Sequence, residues 1–155
     1  ADRPARQSRN GSLRASGMTS PALSPYAASA LVAAGGAFGA VARYHAGNLV
    51  AHIAGPDNAF PWGTLSINLL GSLLMGGLLG WLARGSIEGT SAETMRLLIG
   101  VGLLGGFTTF SAFSAELVTL MHRGQAAMAF GYGAASLIAG MAAMIIGLVI
   151  AQSAS

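Results

Sequence analysis

Four separate stretches of this chain are each long and apolar enough to cross a lipid bilayer as a helix, and this constrains its fold more than anything else. A helix crossing the hydrocarbon core needs about 20 mostly apolar residues. Ala27 to about His52, Trp62 to Ala83, Met95 to Met121 and Gln125 to Ala151 meet that requirement. Between them lie a turn (Gly55, Pro56, Asp57, Asn58), a polar loop from Arg84 to Glu93, and a tight turn at His122, Arg123 and Gly124. Pro61 and Trp62 suit a helix start at the membrane interface, where tryptophan is enriched. The predicted fold class is all-α: an integral membrane protein of four transmembrane helices, with both ends on one side.

Composition agrees. Of 155 residues, 53% are apolar and 8% charged, against roughly a quarter charged in soluble domains. A water-soluble domain of this size leaves too much of its surface exposed to hide so many apolar residues. The chain has no cysteine, which removes disulfide frameworks, thiolate metal sites and cysteine nucleophiles. The formal charge of +3 comes from the first stretch, where Arg3, Arg6, Arg9 and Arg14 are opposed only by Asp2. From Ala27 onward, Arg43, Arg84, Arg96 and Arg123 balance Asp57, Glu88, Glu93 and Glu116.

Residues 1–25 are rich in Arg, Ser and Pro and stand apart from the helical domain predicted for 26–155. They read as a disordered basic leader, as a targeting segment or arm that holds the N-terminus in the cytoplasm, or as sequence ahead of a misassigned start, with Met18 just before the first span. Four arginines without an aromatic platform do not make a nucleic-acid surface. Without this leader, basic residues divide as Arg84 and Arg96 on the side of the ends against Arg123 on the other. So weak a bias sets no orientation, and such a chain can insert both ways and pair antiparallel with itself. With the leader counted, the balance favours a cytoplasmic N-terminus.

All four spans carry small residues four apart: Gly35 and Gly39; Ser72, Gly76 and Gly80; Gly102 and Gly106; Ala135, Ala139, Ala143 and Gly147. In lipid such rows let helix backbones approach closely, and most of these glycines are packing residues. Polar side chains inside spans are costly and tend to be functional. Arg43 ends GAFGAVARY in the first span, Asn68 sits within GTLSINLLG in the second, and the third contains GGFTTFSAFSAE, from Gly105 to Glu116. Tyr132 and Ser136 lie four apart on the fourth. Gly105 and Gly106 followed by Thr108 and Thr109 weaken a helix at its centre. A helix broken at mid-membrane is tolerated only where its freed backbone groups face protein or a polar cavity, and unwound carbonyls there take cations. A glycine kink made for packing is the plainer reading of the same residues. Phe107, Phe110 and Phe113 recur on one helix face; such a stripe usually belongs to a core, yet ring edges are positive and can face a small anion.

These three segments, in this order on the first three of four spans, resemble the CrcB/Fluc fluoride-channel family over about residues 30 to 150. The resemblance implies a fluoride-selective channel that exports cytoplasmic fluoride passively from a multi-pass position in the cell membrane, built as an antiparallel dual-topology homodimer, or paired with a sister subunit of opposite orientation. It implies a structural sodium ion at the dimer interface, held by backbone carbonyls that map onto Gly105 and Thr108. It also implies a fluoride pathway of Asn68, Phe110, Ser111, Phe113, Tyr132 and Ser136, with Arg43 near its mouth, and a role for Glu116 in gating through a bond to a neighbouring backbone or hydroxyl group. One departure stands out: the family has a threonine where this chain has Ala112, so one hydroxyl donor is missing.

Two other functions fit four short helices less well. A small dual-topology multidrug exporter relies on an acid in its first span, and this first span has none. A structural or assembly subunit such as a rotor-ring hairpin needs two helices and a lone carboxylate, not a broken third span. An enzyme is not expected, because His45, His52 and His122 lie near span ends and no nucleophile–base constellation is present.

Overall fold

A computed structural model describes residues 23–55, 58–85 and 87–154 of the chain. The expectations for residues 1–22 concern residues outside this range. Among the described residues the protein is entirely helical, with four helices long and apolar enough to span a membrane. Helix α1 (Pro25–Ala54) starts where Ser24 Oγ accepts the Ala27 N–H at 3.2 Å and proline takes the first helical position. Helix α2 (Trp62–Ala83) matches its predicted bounds and opens on Pro61 and Trp62, whose ring lies 4.5 Å from that of Phe60.

The third span, Gly89–His122, consists of two helices. Helix α3 (89–107) comprises Gly89–Met95, a π-helical stretch Arg96–Leu104 and a last turn Gly105–Phe107; helix α4 is Phe110–His122. This span begins six residues before the predicted Met95, because Gly89–Met95 is a polar turn with no hydropathy signal of its own; there Thr94 Oγ1 donates back to the Thr90 carbonyl at 2.7 Å. The π-helical stretch was not expected either. Helix α5 (Ala126–Ser153) follows a turn in which Gly124 takes φ +72° and the Gln125 N–H returns to the Leu120 carbonyl at 2.9 Å.

The glycines of the predicted rows sit at helix contacts. A Cβ on Gly35 would meet the Leu98 carbonyl oxygen, and one on Gly39 the Leu103 carbonyl, so α1 and α3 touch backbone to backbone. Gly76 and Gly80 lie in the same way on the Met144 and Leu148 carbonyls of α5, and Gly147 lies on the Leu73 carbonyl of α2. Dispersion across these seams takes the place of the hydrophobic effect, which lipid does not provide. Arg84, just past the end of α2, donates from Nη1 to the Ala151 carbonyl at 3.2 Å and to the Ala154 carbonyl, tying down the last turn of α5.

The break in the third span falls at Thr108 and Thr109, just after the glycines. Gly105 and Gly106 remain helical, whereas Thr108 has ψ 159° and Thr109 has φ −150° and ψ 119°. Both the backbone N–H and the hydroxyl of Thr108 bond to the Leu104 carbonyl at 3.0 Å, which closes α3. Thr109 then caps α4, its Oγ1 accepting the Ala112 N–H at 3.2 Å. Two β-branched residues suit this extended conformation, while the glycines ahead of them serve the contact with α1: a Cβ on Gly106 would crowd the Gly36 carbonyl at 2.6 Å.

Candidate functional site

The break is held open by one side chain from α2. Asn68 Nδ2 donates to the Thr109 carbonyl at 3.1 Å, and the Thr109 N–H donates to Asn68 Oδ1 at 2.9 Å. An amide carries a donor and an acceptor side by side and so can pair both backbone groups of an extended residue, as a neighbouring strand would. Three residues further on, Gly71 leaves room for the Thr108 methyl group, which a Cβ would strike.

This clamp redirects hydrogen bonds that a continuous helix would make. The Thr109 N–H turns to Asn68, so the Gly105 carbonyl loses its ordinary partner; the Ala112 N–H turns to Thr109 Oγ1, so the Thr108 carbonyl loses its own. The two released carbonyls, one in the break and one a turn before it, are neutral hard oxygens, the donor type that suits a sodium ion better than a transition metal. No cluster of three His, Cys, Asp or Glu residues occurs among the described residues.

Two cavities flank the break. The inner one, about 470 Å³, is lined by Asn68, Ser72, Thr109, Phe110, Phe113 and Ser136 among mostly apolar walls. The Phe110 and Phe113 rings lie 5.8 Å apart, inclined at 42°. Phe110 is 79% exposed on the single chain, whereas Phe113 is half-buried and packs on the Tyr132 ring at 5.1 Å. Ser136 Oγ is buried and has no hydrogen-bond partner among the described residues.

The outer cavity, about 580 Å³, lies under the loop between α1 and α2 and is lined by Arg43, Asn48, Asn58, Trp62, Thr64, Thr109, Ala112 and Glu116 among others. Arg43 forms no hydrogen bond or ion pair among the described residues, which leaves its charge to the cavity. The Glu116 carboxylate accepts from Thr64 Oγ1 at 2.6 Å and from the Tyr132 hydroxyl at 2.7 Å. These short bonds join α2, α4 and α5.

The structure thus brings Asn68, Phe110, Phe113 and Ser136 around one cavity and places Arg43 and Glu116 on the other. Tyr132 is fully buried, and its hydroxyl is committed to Glu116. Ser111 lines neither cavity; it is exposed, with its Oγ 3.4 Å from Thr109 Oγ1. Gly105 and Thr108 sit at the break, Thr108 also on the inner cavity wall. Two contributors to the site were not expected there: Thr64, and Thr109, which the sequence marked only as a weak point of the helix. Thr64 stands four residues before Asn68, one turn away on the same face of α2, so the spacing within GTLSINLLG was an available signal.

A bundle of four spans whose interrupted helix faces a cavity with a few polar groups defines a class, the multi-pass membrane proteins that place ions or polar solutes at a helix break. Within that class the relatives are specific. Residues 30–148 match the family described as CrcB-like protein, Camphor Resistance (CrcB). The chain is 54% identical over 121 residues to a protein of Novosphingobium aromaticivorans named fluoride-specific ion channel FluC, a match spanning 78% of this chain and 93% of that one. It is 48% identical over 123 residues to a protein of the same name from Caulobacter vibrioides (79% and 93% of the two chains), and 49% identical over 119 residues to another from Sphingopyxis alaskensis (77% and 90%). The chain belongs to the CrcB family.

Proposed function

We propose that this protein is a channel, not an enzyme, that lets fluoride leave the cytoplasm passively across the cell membrane. The observation that carries the reading is the polar-and-phenylalanine cavity at the broken helix, in a chain about half identical to proteins named for fluoride conduction. Fluoride is small and strongly hydrated, so a dry passage must replace its water with donors, none binding so tightly that the ion cannot leave. Asn68 spends one of its two amide protons on Thr109 and has one left to donate. The unmatched Ser136 hydroxyl is a second donor, and the ring edges of Phe110 and Phe113 provide weaker, diffuse attraction. Arg43 draws anions into the outer cavity. Glu116 takes up the Thr64 and Tyr132 hydroxyls and so sets which protons remain for the ion, the basis of a gating role. Ser111 joins the pathway through its neighbour Thr109.

We further infer an antiparallel homodimer, or a pair with a sister chain of opposite orientation, with sodium at its centre. Gly105 is exposed near mid-span, where a released carbonyl facing lipid would cost several kcal/mol. An inverted second copy covers that surface and doubles the carbonyls of Gly105 and Thr108 around the twofold axis, and the ion would neutralise their partial charges. Liposomes loaded with fluoride and carrying the purified protein should release it faster than protein-free liposomes while retaining chloride. Equal release of chloride would refute fluoride selectivity.

A further inference from the structure

The two cavities have one lining residue in common, Thr109. Asn68, Phe110 and Phe113 border only the inner cavity, and Arg43, Ala112 and Glu116 only the outer. The partition is held by hydrogen bonds. Asn68 holds the N–H and carbonyl of Thr109 at 2.9 and 3.1 Å, and the side chain is fixed by the Ala112 N–H at 3.2 Å from Oγ1. A hydroxyl has two lone pairs and one proton. One lone pair of Thr109 is taken by Ala112, which leaves the proton to be offered. Its nearest acceptor is Ser111 Oγ at 3.4 Å, long for an O–H···O bond. Ala112, on the outer wall beside it, has no hydroxyl to offer.

We propose that Thr109 is the crossing point between the two cavities and that its hydroxyl proton passes the anion from one to the other. The inference rests on the fluoride-channel reading and deepens it, adding a pathway residue where donors would otherwise be interrupted. An ion that has shed much of its hydration needs a donor at each step, and Thr109 is the one described residue that lines both cavities. Asn68 then has a positioning role beside its direct one, since it sets where that hydroxyl stands.

The test compares fluoride efflux from liposomes for the unsubstituted protein, Thr109→Val, Thr109→Ser and the double substitution Thr109→Val with Ala112→Thr, each normalised to folded protein by size-exclusion chromatography. Thr109→Val keeps the shape and loses the hydroxyl, and should slow efflux about tenfold, the effect of one hydrogen bond to a charged ion. Thr109→Ser keeps both hydroxyl and helix cap and should stay near the unsubstituted rate. Adding Ala112→Thr to Thr109→Val puts a hydroxyl on the outer wall alone and should leave efflux slow, because no donor then borders both cavities. Unchanged efflux per folded Thr109→Val protein, which is what a merely capping role gives, a Thr109→Ser variant as slow as the valine one, or full recovery in the double variant would each overturn the proposal. If Thr109→Val does not yield folded protein, Thr109→Ala replaces it in the same comparison. A silent unsubstituted protein would overturn the channel reading and this inference with it, whereas an active one with a fully active Thr109→Val overturns the inference alone.

Discussion

Replacing Asn68 with leucine keeps the side-chain volume and removes both halves of the clamp on Thr109. The amide donates to the Thr109 carbonyl at 3.1 Å and accepts its N–H at 2.9 Å, and Thr109 is only 9% exposed. With no water to take over, each orphaned group costs about 1–3 kcal/mol, so the substitution should destabilise the fold by about 2–6 kcal/mol. Against a total of about 5–15 kcal/mol for a typical folded domain, this is a large fraction. The measurement is reversible unfolding in mixed micelles with increasing SDS, followed by the fluorescence of Trp62 and Trp81. Asn68→Asp makes the internal comparison: its carboxylate still accepts the Thr109 N–H but opposes the carbonyl, so it should lose stability too, while its charge suppresses fluoride efflux whatever the fold does. A leucine variant within about 0.5 kcal/mol of the unsubstituted protein, the range of an ordinary surface change, would refute the idea that Asn68 holds the break.

Other substitutions probe the remaining parts. Phe110→Ile should lower fluoride efflux about tenfold, one weak ion contact's worth, with little change in unfolding, because the ring is 79% exposed on the single chain; unchanged efflux would remove it from the pathway. Tyr132→Phe should cost about 1.5–3 kcal/mol in the same unfolding assay, the value of a hydrogen bond to a charged group, since it breaks the 2.7 Å bond to Glu116. Gly39→Leu should prevent folding or destabilise by more than about 3 kcal/mol, beyond ordinary overpacking, because its first atom would already collide with the Leu103 carbonyl. Exchanging sodium for a bulky organic cation in both liposome compartments should reduce efflux if the Gly105 and Thr108 carbonyls hold the ion, and full activity without sodium would argue against that site.

Composition and hydropathy alone made this a four-span membrane protein, and the bounds of α2 were legible to the residue because Pro61 and Trp62 mark an interface that physics recognises without a fold. The glycine rows told where helices touch, since a missing Cβ is a local property. A weak point in the third span was legible too, from Gly105, Gly106 and two threonines in sequence. Its exact position was not. Intrinsic helix propensity points to the glycines as the breakers, yet they stay helical and the chain opens at Thr108 and Thr109. That outcome depends on Asn68, 41 residues away in sequence, which satisfies two backbone groups that no local partner could. Likewise the grouping of Thr64, Tyr132 and Glu116, and the partition at Thr109, exist only once α2, α4 and α5 are packed. The residues alone determine where the chain enters lipid, because partitioning is additive along a segment. Which backbone groups are released inside it, and toward what, was decided only by tertiary contact, because a hydrogen bond has to find its partner in space.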